Sequence, residues 1–127
     1  MNMKEMCAKS GLSANTIRYY EKEKLLKIPR NKSGYRDFSA ANQRRLEYIT
    51  KLRRAGIGID FLRKYCALLD ATDGKSHDAE LRTMLIEQAK DARQRLTELS
   101  NALDYLDWKI GVYDTNLKIL GELSKEK

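Results

Sequence analysis

The stretch SANTIRYYEKEKLLKIPRNKSGYRDF, residues 13–38, decides the fold. Ser13 can cap a helix, because its hydroxyl accepts from the backbone N–H groups two and three positions on. That helix carries the cluster Arg18, Tyr19 and Tyr20. Residues 27–37 are too rich in Lys, Arg, Asn, Ser and Gly, with Pro29 among them, to continue it. They read as a short hairpin or wing with Ser33-Gly34 at its tip. A capped helix followed by a basic wing suits a polyanion, and the polyanion expected is duplex DNA.

Upstream, residues 3–9 read as a short helix with Met3, Met6 and Cys7 facing inward, ended by Gly11, which reverses the chain in the left-handed conformation. Helix, tight turn and capped helix make a helix-turn-helix, with Leu12, Ile17, Tyr20 and Leu25 as its core candidates. Downstream, Ser39 opens a third helix with Leu46, Ile49 and Leu52 on one face, and Gly56 and Gly58 end it. A fourth helix begins near Ile59 and spaces Leu62, Cys66 and Leu69 helically before a polar linker.

The last segment has the cleanest periodicity. Leu85, Ala89, Ala92, Leu96, Leu99, Leu103, Leu106, Ile110, Tyr113, Leu117 and Leu120 alternate spacings of four and three. A seam repeating about every 3.5 residues is that of a coiled coil. From Asp78 to Leu120 the helix would be roughly 60 Å long, too long for the small head to bury, so it needs a partner helix, most simply a second copy. The fold expected is mainly α: a winged helix-turn-helix head over residues 1–70, a linker over 71–77, a dimerising coiled-coil helix over 78–120 and a tail over 121–127.

Charge agrees with this division. Residues 1–70 carry 16 Lys and Arg against 7 Asp and Glu, and the remainder 9 against 11, so the net charge of +7 belongs to the head. A basic head is an electrostatic footprint for nucleic acid, with an acidic membrane surface a distant second. No apolar run approaches the roughly 20 residues that span a bilayer, and MNMKEMCAKS lacks a signal peptide's apolar region. A soluble, cytoplasmic protein is expected. The two cysteines, Cys7 and Cys66, make no disulfide framework.

These residues resemble a known family. TIRYYE at 16–21, the Leu pair at 25–26, IPRN at 28–31 and GYRDF at 34–38, in this order of elements, are similar to the MerR family of bacterial transcription regulators. The resemblance is close over residues 1–70 and architectural beyond. It implies a homodimer joined by an antiparallel coiled coil, two heads on successive major grooves of a pseudo-palindromic promoter operator, and activation by bending and untwisting that DNA for RNA polymerase, or repression without inducer. Lys24 stands where the family usually has Gly, which implies a left-handed helix end. The chain looks like the branch responsive to aldehydes and electrophiles, but Lys51 stands where that branch carries a cysteine in the third helix.

The expected DNA-binding set is Ser13, Asn15, Thr16, Arg18, Tyr19 and Tyr20 on the helix, Arg30, Lys32, Tyr35 and Arg36 in the wing, and Arg53 and Arg54 before the Gly56 turn. Tyr19 and Tyr20 are adjacent and cannot both face one way, so Tyr19 is assigned to DNA and Tyr20 to packing within the set. Arg53 and Arg54 suit DNA contact and helix C-capping equally. The dimerisation set is Leu85, Leu96, Leu99, Leu103, Leu106, Ile110, Tyr113, Leu117 and Leu120. Cys66, at the expected junction of head and coiled coil, is the candidate for any redox signal. His77 stands alone in the linker, so no metal site is expected, and nothing points to a cofactor. No nucleophile-base pair or phosphate-cradling loop suggests an enzyme. The other reading of the residues is a non-catalytic coiled-coil adaptor whose basic head binds RNA or an acidic protein.

Overall fold

The computed structural model describes residues 1–125, which form five helices: α1 (Met3–Ser10), α2 (Ala14–Lys22), α3 (Ala40–Arg54), α4 (Ile59–Leu69) and α5 (Asp78–Lys125). The chain is mainly α, and the single antiparallel bridge among the described residues joins Arg30 to Arg36 in the wing. Two compact units divide it, Met1–Gln88 and the segment from Ala89 onward.

Local chemistry sets each boundary in the first unit. Asn2 caps α1, accepting from the Glu5 N–H at 2.9 Å while the Glu5 carboxylate accepts from the Asn2 N–H. Gly11 follows in the left-handed region at φ 73°. Ser13 caps α2 through the Thr16 N–H at 3.1 Å. Past α2 the chain turns at Lys24, which holds φ 63° without being glycine. That conformation costs a side-chain-bearing residue on the order of 1 kcal/mol.

The core gathers one side of every helix in the head together with the segment between α2 and α3. Met6, Ile17, Leu25, Leu46, Ile49, Leu62 and Cys66 are almost wholly inaccessible, with Tyr20, Leu26, Ile28, Phe38 and Ile57 around them. Leu12 and Leu52 pack against this core from partly buried positions. Leu69, expected to continue the inner face of α4, is 39% exposed because it lies in the last turn, beyond the core. One buried polar residue ties the layers together. Asn42 donates to the Lys27 carbonyl at 2.7 Å and accepts from the Ser39 N–H at 2.9 Å, fastening the start of α3 to the entry of the wing.

The second unit is the continuing helix α5. The helix runs through Lys125, past Leu120 and into the residues expected as a tail, and it has no buried residue. Residues 126–127 of that expected tail lie outside the described residues. Among the described residues no helix is long and apolar enough to cross a membrane.

Candidate nucleic-acid interface

Helix α2 presents two faces. Ile17 and Tyr20 turn into the core, while Asn15, Arg18 and Tyr19 are exposed, Tyr19 to 44%. Arg18 Nη2 donates to Asn15 Oδ1 at 3.3 Å, which aligns the guanidinium along the exposed face. Tyr20 is 6% exposed, so it leaves the expected DNA-binding set; its neighbour Tyr19 takes the outward position because adjacent helical residues diverge by about 100°. Ser13 and Thr16 are occupied with each other, their hydroxyl oxygens 2.9 Å apart, and Thr16 is half-buried. These contacts fix the start of α2.

The wing is shaped by Asn31. Its Oδ1 accepts from the Ser33 and Tyr35 N–H groups at 3.0 and 3.1 Å, and its own N–H donates to the Tyr35 carbonyl at 2.8 Å. With Gly34 at φ 83° this closes a tight reversal that carries Lys32 and Tyr35 at its exposed end, Tyr35 being 72% accessible. Asn31 was not among the expected site residues, although an Asn two before a Ser-Gly tip is an Asx-turn signal.

Wing and helix are joined through one carboxylate. Glu21, in the last turn of α2, accepts from Arg36 Nε at 3.1 Å and Nη2 at 2.9 Å, and Arg30 Nη2 stands 3.7 Å from the same oxygen. The two wing arginines of the expected DNA-binding set are thus oriented by Glu21, which the sequence analysis did not single out. Arg53 donates to the Ile57 carbonyl at 2.9 Å, bracing the turn after α3. Arg54 is exposed nearby.

Cys66 is wholly inaccessible, and burial pushes its thiol up from the usual range. Arg63 does not turn toward it, being held by Glu23, whose Oε2 accepts from Nε at 2.9 Å, and by Asp60. Cys66 is thus a core residue, as its apolar helix face implied, and Cys7 is the more accessible thiol. Among the described residues no group of three His, Cys, Asp or Glu is placed to hold a metal ion.

On α5, Leu85 is half-buried within the first unit. Leu96, Leu99, Leu103, Leu106, Ile110, Tyr113, Leu117 and Leu120 are each between 54 and 68% exposed. Tyr105, Trp108 and Ile119 form a second exposed stripe, two residues on from Leu103, Leu106 and Leu117 and so about 200° around the helix. That second stripe was hidden in the sequence by the more regular leucine seam.

The comparisons agree with this geometry. Residues 1–69 match the MerR HTH family regulatory protein family. The HTH-type transcriptional regulator HmrR of Rhizobium leguminosarum bv. viciae is 35% identical over 108 residues, 84% of this chain and 83% of that protein. A solved MerR family transcriptional regulator from Listeria monocytogenes is similar with a TM-score of 0.88 and 39% identity, covering 99% of this chain and 95% of that one. HiNmlR, a MerR family regulator lacking the sensor domain, solved bound to promoter DNA, gives a TM-score of 0.78 and 25% identity over 90% of both chains. The chain therefore belongs to the MerR family of helix-turn-helix transcriptional regulators.

Proposed function

We propose that this chain is a homodimeric, non-enzymatic regulator that binds a pseudo-palindromic promoter operator through two winged heads, and bends and untwists that DNA for RNA polymerase. The observation that carries the reading is the exposed row Asn15, Arg18 and Tyr19 on α2 beside a wing whose arginines are anchored to the same helix by Glu21. A base-reading helix fixed rigidly to a phosphate-gripping loop can both read and strain a duplex. HiNmlR, a similar protein, is bound to promoter DNA. The dimer is supported by the exposed leucine seam of α5, since a single chain leaves that much apolar surface in water.

The test is a gel shift with the promoter of the chain's own transcription unit, containing an inverted repeat, against a random duplex and RNA at matched salt. Tighter binding to the repeat, with one dimer per duplex, is expected. Equal binding to all three would replace this reading with that of a basic adaptor.

A further inference from the structure

The head contains a cavity of about 780 Å³, within the range of small-molecule sites. The last turn of α2, the segment after it, the start of α3 and Asp70 at the end of α4 line it. Leu26 and Ile28, each less than 9% exposed, give it an apolar floor. Two carboxylates lie on its wall, and both are already matched. Glu21 holds Arg36, and Asp70 pairs with Arg45. Lys24 and Lys27 also line the cavity, and neither has an ion-pair partner among the described residues. The uncompensated charge at this apolar floor is therefore positive.

Lys24 occupies φ 63° as the residue that ends α2, where the Leu25 N–H returns to the Tyr20 carbonyl at 3.0 Å, and it lines the cavity from that turn.

We propose that this cavity is a binding site for a small amphipathic anion, a carboxylate carried on an apolar body of roughly six to ten carbons, with Lys24 and Lys27 meeting the carboxylate and Leu26 and Ile28 the chain. A bare inorganic anion leaves the floor unfilled, a neutral lipid leaves both ammonium groups unmatched, and an organic cation is repelled. The site borders the ion pairs that hold the wing and the start of the linker, which is where a ligand could act on the head. The proposal does not depend on the DNA-binding reading, and its test reads ligand binding directly.

Octanoate is titrated into the full-length protein by calorimetry, beside octan-1-ol, octylammonium and acetate at equal ionic strength, and methyl resonances are followed by NMR. Saturable octanoate binding is expected, at least tenfold tighter than octan-1-ol, with shifts at Leu26 and Ile28 and none at Leu99 or Leu103 on α5. Lys24→Gly and Lys27→Gln should each weaken it about fivefold or more. Lys24→Gly relieves backbone strain, so a loss of binding in that variant cannot be assigned to unfolding, and its melting curve verifies this. Equal affinity for octanoate and octan-1-ol, unchanged affinity in both variants, shifts confined to the α5 leucines, or no saturation by about 5 mM would each overturn the proposal.

Discussion

Arg36 in the wing donates from two nitrogens, Nε at 3.1 Å and Nη2 at 2.9 Å, to one carboxylate oxygen of Glu21 in α2. The contact is only partly exposed, so it is worth more than a loose surface pair, and it fixes the wing to the reading helix. In the proposed DNA complex, Arg36 would therefore meet phosphate with part of its charge already matched.

Separating the two partners distinguishes anchoring from charge. Glu21→Gln frees Arg36, so the salt dependence of DNA binding should steepen by up to about one unit while discrimination between operator and random duplex falls. Arg36→Ala leaves Glu21 unmatched and should weaken binding to all sequences about equally, on the order of tenfold. Anisotropy titrations between roughly 50 and 200 mM salt measure both. Unchanged slopes in both variants would show that the wing does not meet phosphate.

Lys24→Gly is expected to stabilise the head by about 1 kcal/mol, because glycine adopts φ 63° without the side-chain penalty. Some of that gain is offset by the greater freedom of glycine in the unfolded chain. A rise of a few degrees in the thermal midpoint is the measurable outcome. A fall would mean that contacts of the Lys24 side chain outweigh the backbone strain.

The backbone of this fold was legible in residues 1–70 because its signals are local. Ser13 and Ser39 announce helix starts, Gly11 and Gly56 announce reversals, and each acts on residues within four positions. The exposed row Arg18 and Tyr19 followed from helical spacing alone. What escaped was chemistry between distant positions. Glu21 acts on Arg36 fifteen residues away, and Asn42 reaches the Lys27 carbonyl over the same separation. No periodicity encodes such pairings. The setting of Cys66 was legible because an apolar helix face reveals that a thiol points inward, while how far the packing above it closes depends on distant residues.

The two thiols should therefore react very differently. Burial raises the Cys66 thiol, which suppresses the thiolate that attacks disulfide reagents, whereas Cys7 is partly accessible. Under native conditions Ellman's reagent should label Cys7 first, with Cys66 reacting only as the head unfolds. Cys7→Ser should abolish the early phase and Cys66→Ser should leave it. An early phase that survives in Cys7→Ser would restore Cys66 as the accessible thiol.

His77, just before α5, contacts both oxygens of Asp73 at 3.0 Å and lies 3.4 Å from Glu80. The Asp73 carboxylate, then that of Glu80, hold the imidazole above its usual 6.5. The Lys75 N–H, then His77, hold Asp73 below the usual 3.8. The contribution of His77 to stability is complete below pH 6.5 and is lost as pH rises through its elevated folded value. That of Asp73 is present above pH 3.8 and is lost as pH falls through its lowered one. Linker order should be greatest between these limits. An NMR titration should place the His77 midpoint above 6.5 and return it toward that value in Asp73→Asn. The same midpoint in both proteins would show that the contact does not persist in solution.

The two stripes of α5 make competing candidates for the dimer interface, and they can be told apart. Leu103 and Leu106 belong to the seam that repeats every three and four residues, and both are more than half exposed in the single chain. Tyr105 and Trp108 lie tilted to each other with ring centroids 5.9 Å apart on the other side of the helix, and Lys109 lies against both stripes, 5.9 Å from the Trp108 ring and 5.4 Å from that of Tyr113 in the leucine seam. The regular 3.5-residue repeat is what lets two helices keep one seam in contact over many turns, so the leucine stripe is the interface expected. Placing Asp at both Leu103 and Leu106 would bury unpaired charge in that interface, and the protein should sediment as a monomer at micromolar concentration with reduced helical content, since a long helix without a partner frays. Asp at Tyr105 and Trp108 should leave the dimer intact. A dimer that survives the leucine changes and dissociates on the aromatic ones would move the interface to the opposite face of α5.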